Sequence, residues 1–328
     1  MIRFGIIGTN WITEKFIDAA SKIEDFQLAA VYSRTKEKAK EFAEKFGAST
    51  TFTNLEEMAG SDEIDAVYIA SPNSFHSLQA ILFLQNKKHV ICEKPICSNQ
   101  KELSAMIQAA EENQVLLMEA VKSTFMPGFK AVQDHLHKIG DVRRYFASYC
   151  QYSSRYDAYK EGTILNAFDP KFSNGSLMDI GIYCIYPLVA LFGKPQEIKA
   201  SGLLLDSGID GQGSILLKYE DKDAVIMYSK ISDSFLPSEI QGEKGSMIID
   251  RISAPEKAEI RYRSGEVETL VNETIENSMY YEAKEFIELI QNGEVESRVN
   301  TFANSMIVME IMDEVRKQVG VVFPADQQ

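Results

Sequence analysis

The sequence predicts an α/β protein in two parts. A doubly wound parallel sheet is expected over residues 1–120, and an α+β domain with one large, mostly antiparallel sheet over 121–328. Two observations lead there. Up to about residue 120, short apolar runs alternate with helix-length amphipathic segments, the pattern of successive βαβ units. After Pro127 and Gly128, strand-like runs instead follow one another across short turns, which suits hairpins rather than crossovers.

The expected elements run in order as follows. Ile2 to Ile7 is a strand and Trp11 to Lys22 a helix; Phe26 to Tyr32 is a strand and Lys36 to Phe46 a charged helix. Thr51 to Thr53, Ala66 to Ala70, the run before Glu93, and Val115 to Met118 are further strands, with helices at 56–59, 77–85 and 100–113. In the second part, a helix over 129–138 leads into strands at 142–153, 197–205, 214–219, 224–231, 246–249 and 258–262. Helices at 278–291 and 301–319 close the chain. Ala224 to Tyr228 is apolar on both alternating faces, so this sheet needs two covers: helices on one face and a second subunit on the other.

The length of 328 residues suffices for two sizeable cores. Hydrophobic residues at 45% and charged residues at 25% are ordinary for a soluble globular protein. A formal charge of −14 argues against nucleic acid or an anionic membrane as partner. No apolar stretch is expected to reach transmembrane length, and the amino terminus is expected to enter a strand at once, without a signal peptide. Cys92, Cys97, Cys150 and Cys184 lack metal-ligand spacing, so reduced thiols, a cytoplasmic location and no metal are expected.

Gly8-Thr9-Asn10-Trp11-Ile12 joins the first strand to the first helix. Glycine there lets the backbone approach a pyrophosphate, and the helix amino terminus offers amides and a favourable dipole. Asn10 stands where the dinucleotide fingerprint has a glycine, and asparagine tolerates left-handed backbone angles, so the turn can survive. The second strand ends at Ser33-Arg34, with Lys38 a turn further on. An NAD-selective site places a carboxylate here for the ribose 2′-hydroxyl, whereas a guanidinium and an ammonium suit a 2′-phosphate. NADP is therefore expected, with NAD as the alternative. Ser71, Pro72, Asn73 and His76 follow the fourth strand at the ligand-binding edge, as cofactor contacts or as helix caps.

Glu93-Lys94-Pro95 ends a buried strand at that same edge. An ammonium placed there can hydrogen-bond a hydroxyl or carbonyl and help move its proton. Asp179 and Tyr183 are four residues apart, so on a helix they share a face, and Gly181 between them permits close approach of another backbone or a ring. A tyrosine whose pKa a nearby ammonium lowers is a suitable acid or base for an alcohol, and Lys94 is the expected source of that charge. The alternative is structural: Asp179 at a helix start and Tyr183 packed inward.

These segments together resemble the Gfo/Idh/MocA oxidoreductases over the full length. The dimeric dihydrodiol dehydrogenase branch, with NADP-dependent D-xylose dehydrogenases, is the nearest in pattern. The residues that carry the resemblance are Gly8 with Ile12, Ser71-Pro72-Asn73 with His76, Glu93-Lys94-Pro95, and Asp179 to Tyr183. It implies a Rossmann domain, an open-faced sheet that pairs in a homodimer, and hydride transfer to or from a sugar, polyol or dihydrodiol. It further implies Lys94 and Tyr183 as the proton-transfer pair, with Asp179 orienting the substrate or the lysine. Phe168 and Asn174 depart from the pattern, where relatives often carry arginine and glycine, and Asn10 departs as noted. Two rival readings stay open: an NAD-dependent glycosidase, and a cofactor-sensing regulatory protein without catalysis.

Overall fold

A computed structural model describes residues 1–273 and 276–327. The chain forms two units, Met1–Ala120 with Asn277–Phe302, and Val121–Glu276 with Ala303–Gln328. The expected second domain, 121–328, is thus interrupted by a segment that returns to the first unit; its residues 274, 275 and 328 lie outside the described residues.

The first unit holds strands β1 (Ile2–Ile7), β2 (Phe26–Tyr32), β3 (Thr50–Phe52), β4 (Ala66–Ile69), β5 (His89–Glu93) and β6 (Leu117–Ala120). Helices α1 (Trp11–Ala20), α2 (Lys36–Phe46), α3 (Leu55–Ala59), α4 (His76–Gln85) and α5 (Gln100–Asn113) alternate with them. All six strands are parallel, in the order β3-β2-β1-β4-β5-β6. Every residue of β4 and the Val90-Ile91-Cys92 run of β5 are buried, as a parallel sheet covered on both faces requires.

The second unit begins with α6 (Pro127–His135), β7 (Val142–Cys150), α7 (Tyr156–Lys160) and α8 (Ile182–Phe192). Strands β8 (Glu197–Leu204), β9 (Asp210–Lys218), β10 (Asp223–Ser229), β11 (Ser238–Gly242), β12 (Gly245–Ile249), β13 (Lys257–Tyr262) and β14 (Val267–Asn272) follow, then helices α9 (Met279–Gln291) and α10 (Phe302–Val319). Helix α9 belongs to the first unit. Met279, Ala283, Phe286 and Ile287 form its buried stripe, and the Phe286 ring lies 5.8 Å from Phe4 on β1.

The second sheet has the order β14-β13-β12-β11-β7-β10-β9-β8 and is antiparallel apart from the β7/β10 pair. Its inner face buries Tyr145, Ala147, Ile215, Leu217, Ala224, Ile226 and Tyr228 in one core with α8. Its outer face leaves Leu203, Leu216 and Met227 50%, 47% and 36% exposed. Strands β11 and β14 were not expected, because Ser-Glu-Ile-Gln-Gly and Val-Glu-Thr-Leu-Val-Asn are half polar and one ends an open sheet. One further expectation is corrected. Pro170–Phe192 is long and apolar enough for a membrane span by composition, but 72% of its 18-residue apolar window is buried inside the structure.

Candidate active site

At the carboxyl ends of β1, β2 and β4 lies a cavity of about 660 Å³. Gly8, Thr9, Asn10, Ser33, Arg34, Lys38, Ser71 and Pro72 line it, together with Tyr32, Thr35, Phe75 and Gln79. Gly8 has φ +104°, and a Cβ there would fall 2.5 Å from the Ala70 carbonyl oxygen. Only glycine lets β1 pass so close to the end of β4.

Asn10 departs from the left-handed turn expected of it. Its backbone is extended (φ −131°), and its side chain caps α1 instead. Oδ1 accepts from the Ile12 and Thr13 amides at 3.0 and 3.2 Å, while Nδ2 donates to the Ala70 carbonyl at 2.8 Å. One side chain thus satisfies two helix-end amides and ties them to β4. Arg34 and Lys38 are exposed at the cavity rim, and Ser33 is held by its amide on Phe52 O at 3.1 Å.

The cavity lining does not include Trp11, Ile12, Asn73, His76, Glu93 or Lys94. Trp11 points to solvent, 60% exposed. The Ile12 amide is taken by Asn10. His76 is fully buried, with Nδ1 3.0 Å from Pro95 O and Nε2 2.8 Å from Ser71 O. It joins the loop after β4 to the loop after β5. Burial pushes its pKa down, against the pull of the two carbonyls.

That second loop carries Lys94, and several contacts hold it. The Lys94–Pro95 peptide is cis. Ile96 N donates to Glu119 Oε1 at 3.0 Å, and Ser98 N donates to Glu102 Oε2 at 2.8 Å. Glu93 accepts the Tyr68 hydroxyl at 2.6 Å, and Tyr68 stacks on Phe16 with centroids 3.8 Å apart. Glu93 is therefore built into the sheet rather than into the cavity wall. Glu119 was not anticipated as a loop anchor; a carboxylate closing the apolar run Leu116-Leu117-Met118 was the available signal.

In the second unit, Asp179 sits in a π-helical turn, Leu177–Gly181, that runs directly into α8 and Tyr183. Such turns recur at functional sites. Gly181 packs on Tyr228, whose ring a Cβ would meet at 3.3 Å, which is the close approach expected of it. The Tyr183 ring meets Tyr149 edge-on, centroids 6.0 Å apart. Lys230, 4% exposed, donates to Asp179 Oδ2 at 2.7 Å. Asp210, buried to 2%, accepts the Leu177 amide at 2.7 Å and so caps the π turn from β9. A Cβ on Gly175 (φ +136°) would collide with this carboxylate. Burial pushes the Asp210 carboxyl up to about 7, against the Leu177 amide and the Lys230 charge. Neither Lys230 nor Asp210 was singled out in the sequence.

A parallel sheet with a glycine turn and a capped helix at its strand-order reversal, in a chain that also carries an α+β unit, is the architecture of a dinucleotide-binding protein. Family comparison agrees. The family described as "Oxidoreductase family, NAD-binding Rossmann fold" matches residues 2–121, and "GFO/IDH/MocA C-terminal domain" matches 131–248. The chain belongs to the Gfo/Idh/MocA oxidoreductases. It is 58% identical to scyllo-inositol 2-dehydrogenase (NADP(+)) IolU of Bacillus subtilis (strain 168), over 100% of both chains. It is 32% identical to trans-1,2-dihydrobenzene-1,2-diol dehydrogenase of Mus musculus, over 99% of each. KijD10, a 3-ketoreductase from Actinomadura kijaniata solved with NADP and TDP-benzene, shares the fold with a TM-score of 0.85, covering 98% and 99% of the two chains at 23% identity.

The buried Asp210 gives a pH prediction. Its folded pKa of about 7 exceeds the ordinary value of about 3.9. Between the two, the native state binds more protons than the unfolded one. Its contribution is complete below about pH 4 and is lost as pH rises through 7. Urea titrations at pH 5, 6 and 7 should show a decline of up to about 1.4 kcal/mol per pH unit that Asp210→Asn removes. Equal slopes for both proteins would contradict the assignment.

Proposed function

We propose that the chain is an NADP(H)-dependent dehydrogenase acting on a CH–OH group of a polyol, sugar or dihydrodiol. The single observation that carries this reading is the cavity at the carboxyl ends of β1, β2 and β4, with Gly8 at its floor and Arg34 and Lys38 on its rim. Family membership and the 58% identity to an NADP-dependent scyllo-inositol dehydrogenase favour a cyclic polyol. When bound, NADP(H) supplies the hydride chemistry. Gly8, Thr9 and Asn10 would hold its diphosphate, and Ser71 with Pro72 would line the nicotinamide ribose. Arg34 and Lys38 would hold the 2′-phosphate by charge-assisted contacts.

The acid–base work falls to Tyr183 and Lys94, on the strength of their residue types and the family resemblance. Tyr183, assisted by the Lys94 ammonium, takes the hydroxyl proton in oxidation and returns it in reduction. Asp179 accepts a neighbouring substrate hydroxyl. The protein works as a homodimer paired through the outer face of the second sheet, supported by the exposure of Leu203, Leu216 and Met227 there. Buried Cys92, Cys97 and Cys184, all free, suit a reducing cytoplasm.

Three measurements test this reading. Arg34→Asp should weaken NADPH by one to two decades, the scale of a contact worth ~1.5–3 kcal/mol, and spare NADH; equal losses would remove Arg34 as the discriminator. Tyr183→Phe and Lys94→Met should each lower turnover of scyllo-inositol by ~10²–10⁴-fold while calorimetry still detects NADPH binding. Normal turnover in both would refute the roles given. Leu216→Glu, placed on the outer sheet face, should turn a dimer into a monomer by light scattering; a wild-type monomer would exclude the pairing.

A further inference from the structure

Lys230 is a charged side chain with almost no access to water, and the proposed proton transfer makes no use of it. Burying an ammonium is costly unless it is paired and fixed. Here it is both. Its amide donates to Gly211 O at 2.9 Å and its carbonyl accepts from Ser153 N at 2.9 Å, so the main chain is held from both sides. Its Nζ lies 5.2 Å from the centroid of the fully buried Phe168 ring and 2.7 Å from Asp179 Oδ2. Phe168 in turn packs against Tyr156 and Tyr159 at 5.7 and 5.2 Å. The aromatic floor, the ammonium and the carboxylate thus form one chain of contacts within the second unit. Asp179 keeps 38% of its side chain exposed.

We propose that Lys230 is a positioning residue for the polyol: seated on Phe168, it fixes the Asp179 carboxylate in the orientation that receives a substrate hydroxyl. The ion pair removes the carboxylate's freedom to rotate before substrate arrives, so little ordering is left for binding. Asp210 also feels the Lys230 charge, so the ammonium serves two carboxylates that converge on the same π turn. This inference rests on the proposed dehydrogenase activity and adds to it the element that sets affinity for the polyol, separate from the cofactor.

A double-mutant cycle tests it on the full-length protein, with scyllo-inositol and NADP as substrates. Lys230→Met should raise KM for scyllo-inositol about tenfold, the scale of one charge-assisted contact, with kcat changed less and NADPH affinity unchanged. In an Asp179→Asn background, the same change should cost less than about twofold more, because its route to substrate is already gone. Losses that multiply, or a KM within about twofold of wild type for Lys230→Met alone, would overturn the proposal. If Lys230→Met alone does not fold, the double variant, which removes both charges, still does, and its comparison with Asp179→Asn decides. Wild-type protein that binds NADPH but turns over no polyol would instead sink the dehydrogenase reading; the ion pair would then still show as non-additive shifts in Tm.

Discussion

The reversal of strand order between β1 and β4 is the constraint on which the first unit depends. From β1 the chain winds one way to β2 and β3, and from β4 the other way to β5 and β6. Helices leaving β1 and β4 therefore go to opposite faces, and a crevice must open between their first turns. Each local feature at this point serves that crevice. Gly8 removes the one Cβ that would press on Ala70 O, and Asn10 bonds the same carbonyl while capping α1. His76 then links the β4 loop to the β5 loop, so the mouth of the crevice and the Lys94 loop are braced by a single imidazole.

The second unit solves a different problem. It must hold a partly exposed carboxylate in a fixed orientation on a largely apolar helix. A π turn widens the helix entry, Asp210 supplies the acceptor that its first amide lacks, and Lys230 closes the pair with Asp179. Asp210 and Lys230 are each costly to bury alone, and their partners offset part of that cost. At Asp210 the desolvation outweighs the amides of Leu177, Asp210 and Ser176 and the Lys230 charge, so its pKa is raised.

Periodic and apolar patterning made the parallel sheet legible, because β1, β4 and β5 are buried on both faces and read as continuous hydrophobic runs. The glycine turn and the strand ends before Arg34 and Lys94 were legible because turn chemistry and strand ends are local signals. What stayed hidden depends on tertiary neighbours. Lys230 follows directly on β10 in Ser-Lys-Ile-Ser, a context typical of a surface lysine, and only Asp179 and Phe168, 51 and 62 residues earlier, make it a buried one. Asp210 lies in Ile-Asp-Gly-Gln-Gly, which reads as a turn and folds as the start of β9. The return of α9 to the first unit is likewise set by Phe286 meeting Phe4, a contact across nearly the whole sequence.

A protein of formal charge −14 is an unpromising host for an anionic dinucleotide if its charge is treated as one quantity. At physiological ionic strength the Debye length is about 8 Å, so distant carboxylates on the far surface are largely screened from the crevice. What a bound 2′-phosphate would sense is its immediate surroundings, where Arg34 and Lys38 stand at the rim. The amide dipoles of α1 add to them at the diphosphate end. A neutral polyol, the proposed substrate, would be neither attracted nor repelled by the acidic surface, so its recognition would come from short-range hydrogen bonds. On the proposed reading, local cations would serve the cofactor and the neutral substrate would be left to a fixed carboxylate in the second unit, with the net charge deciding neither.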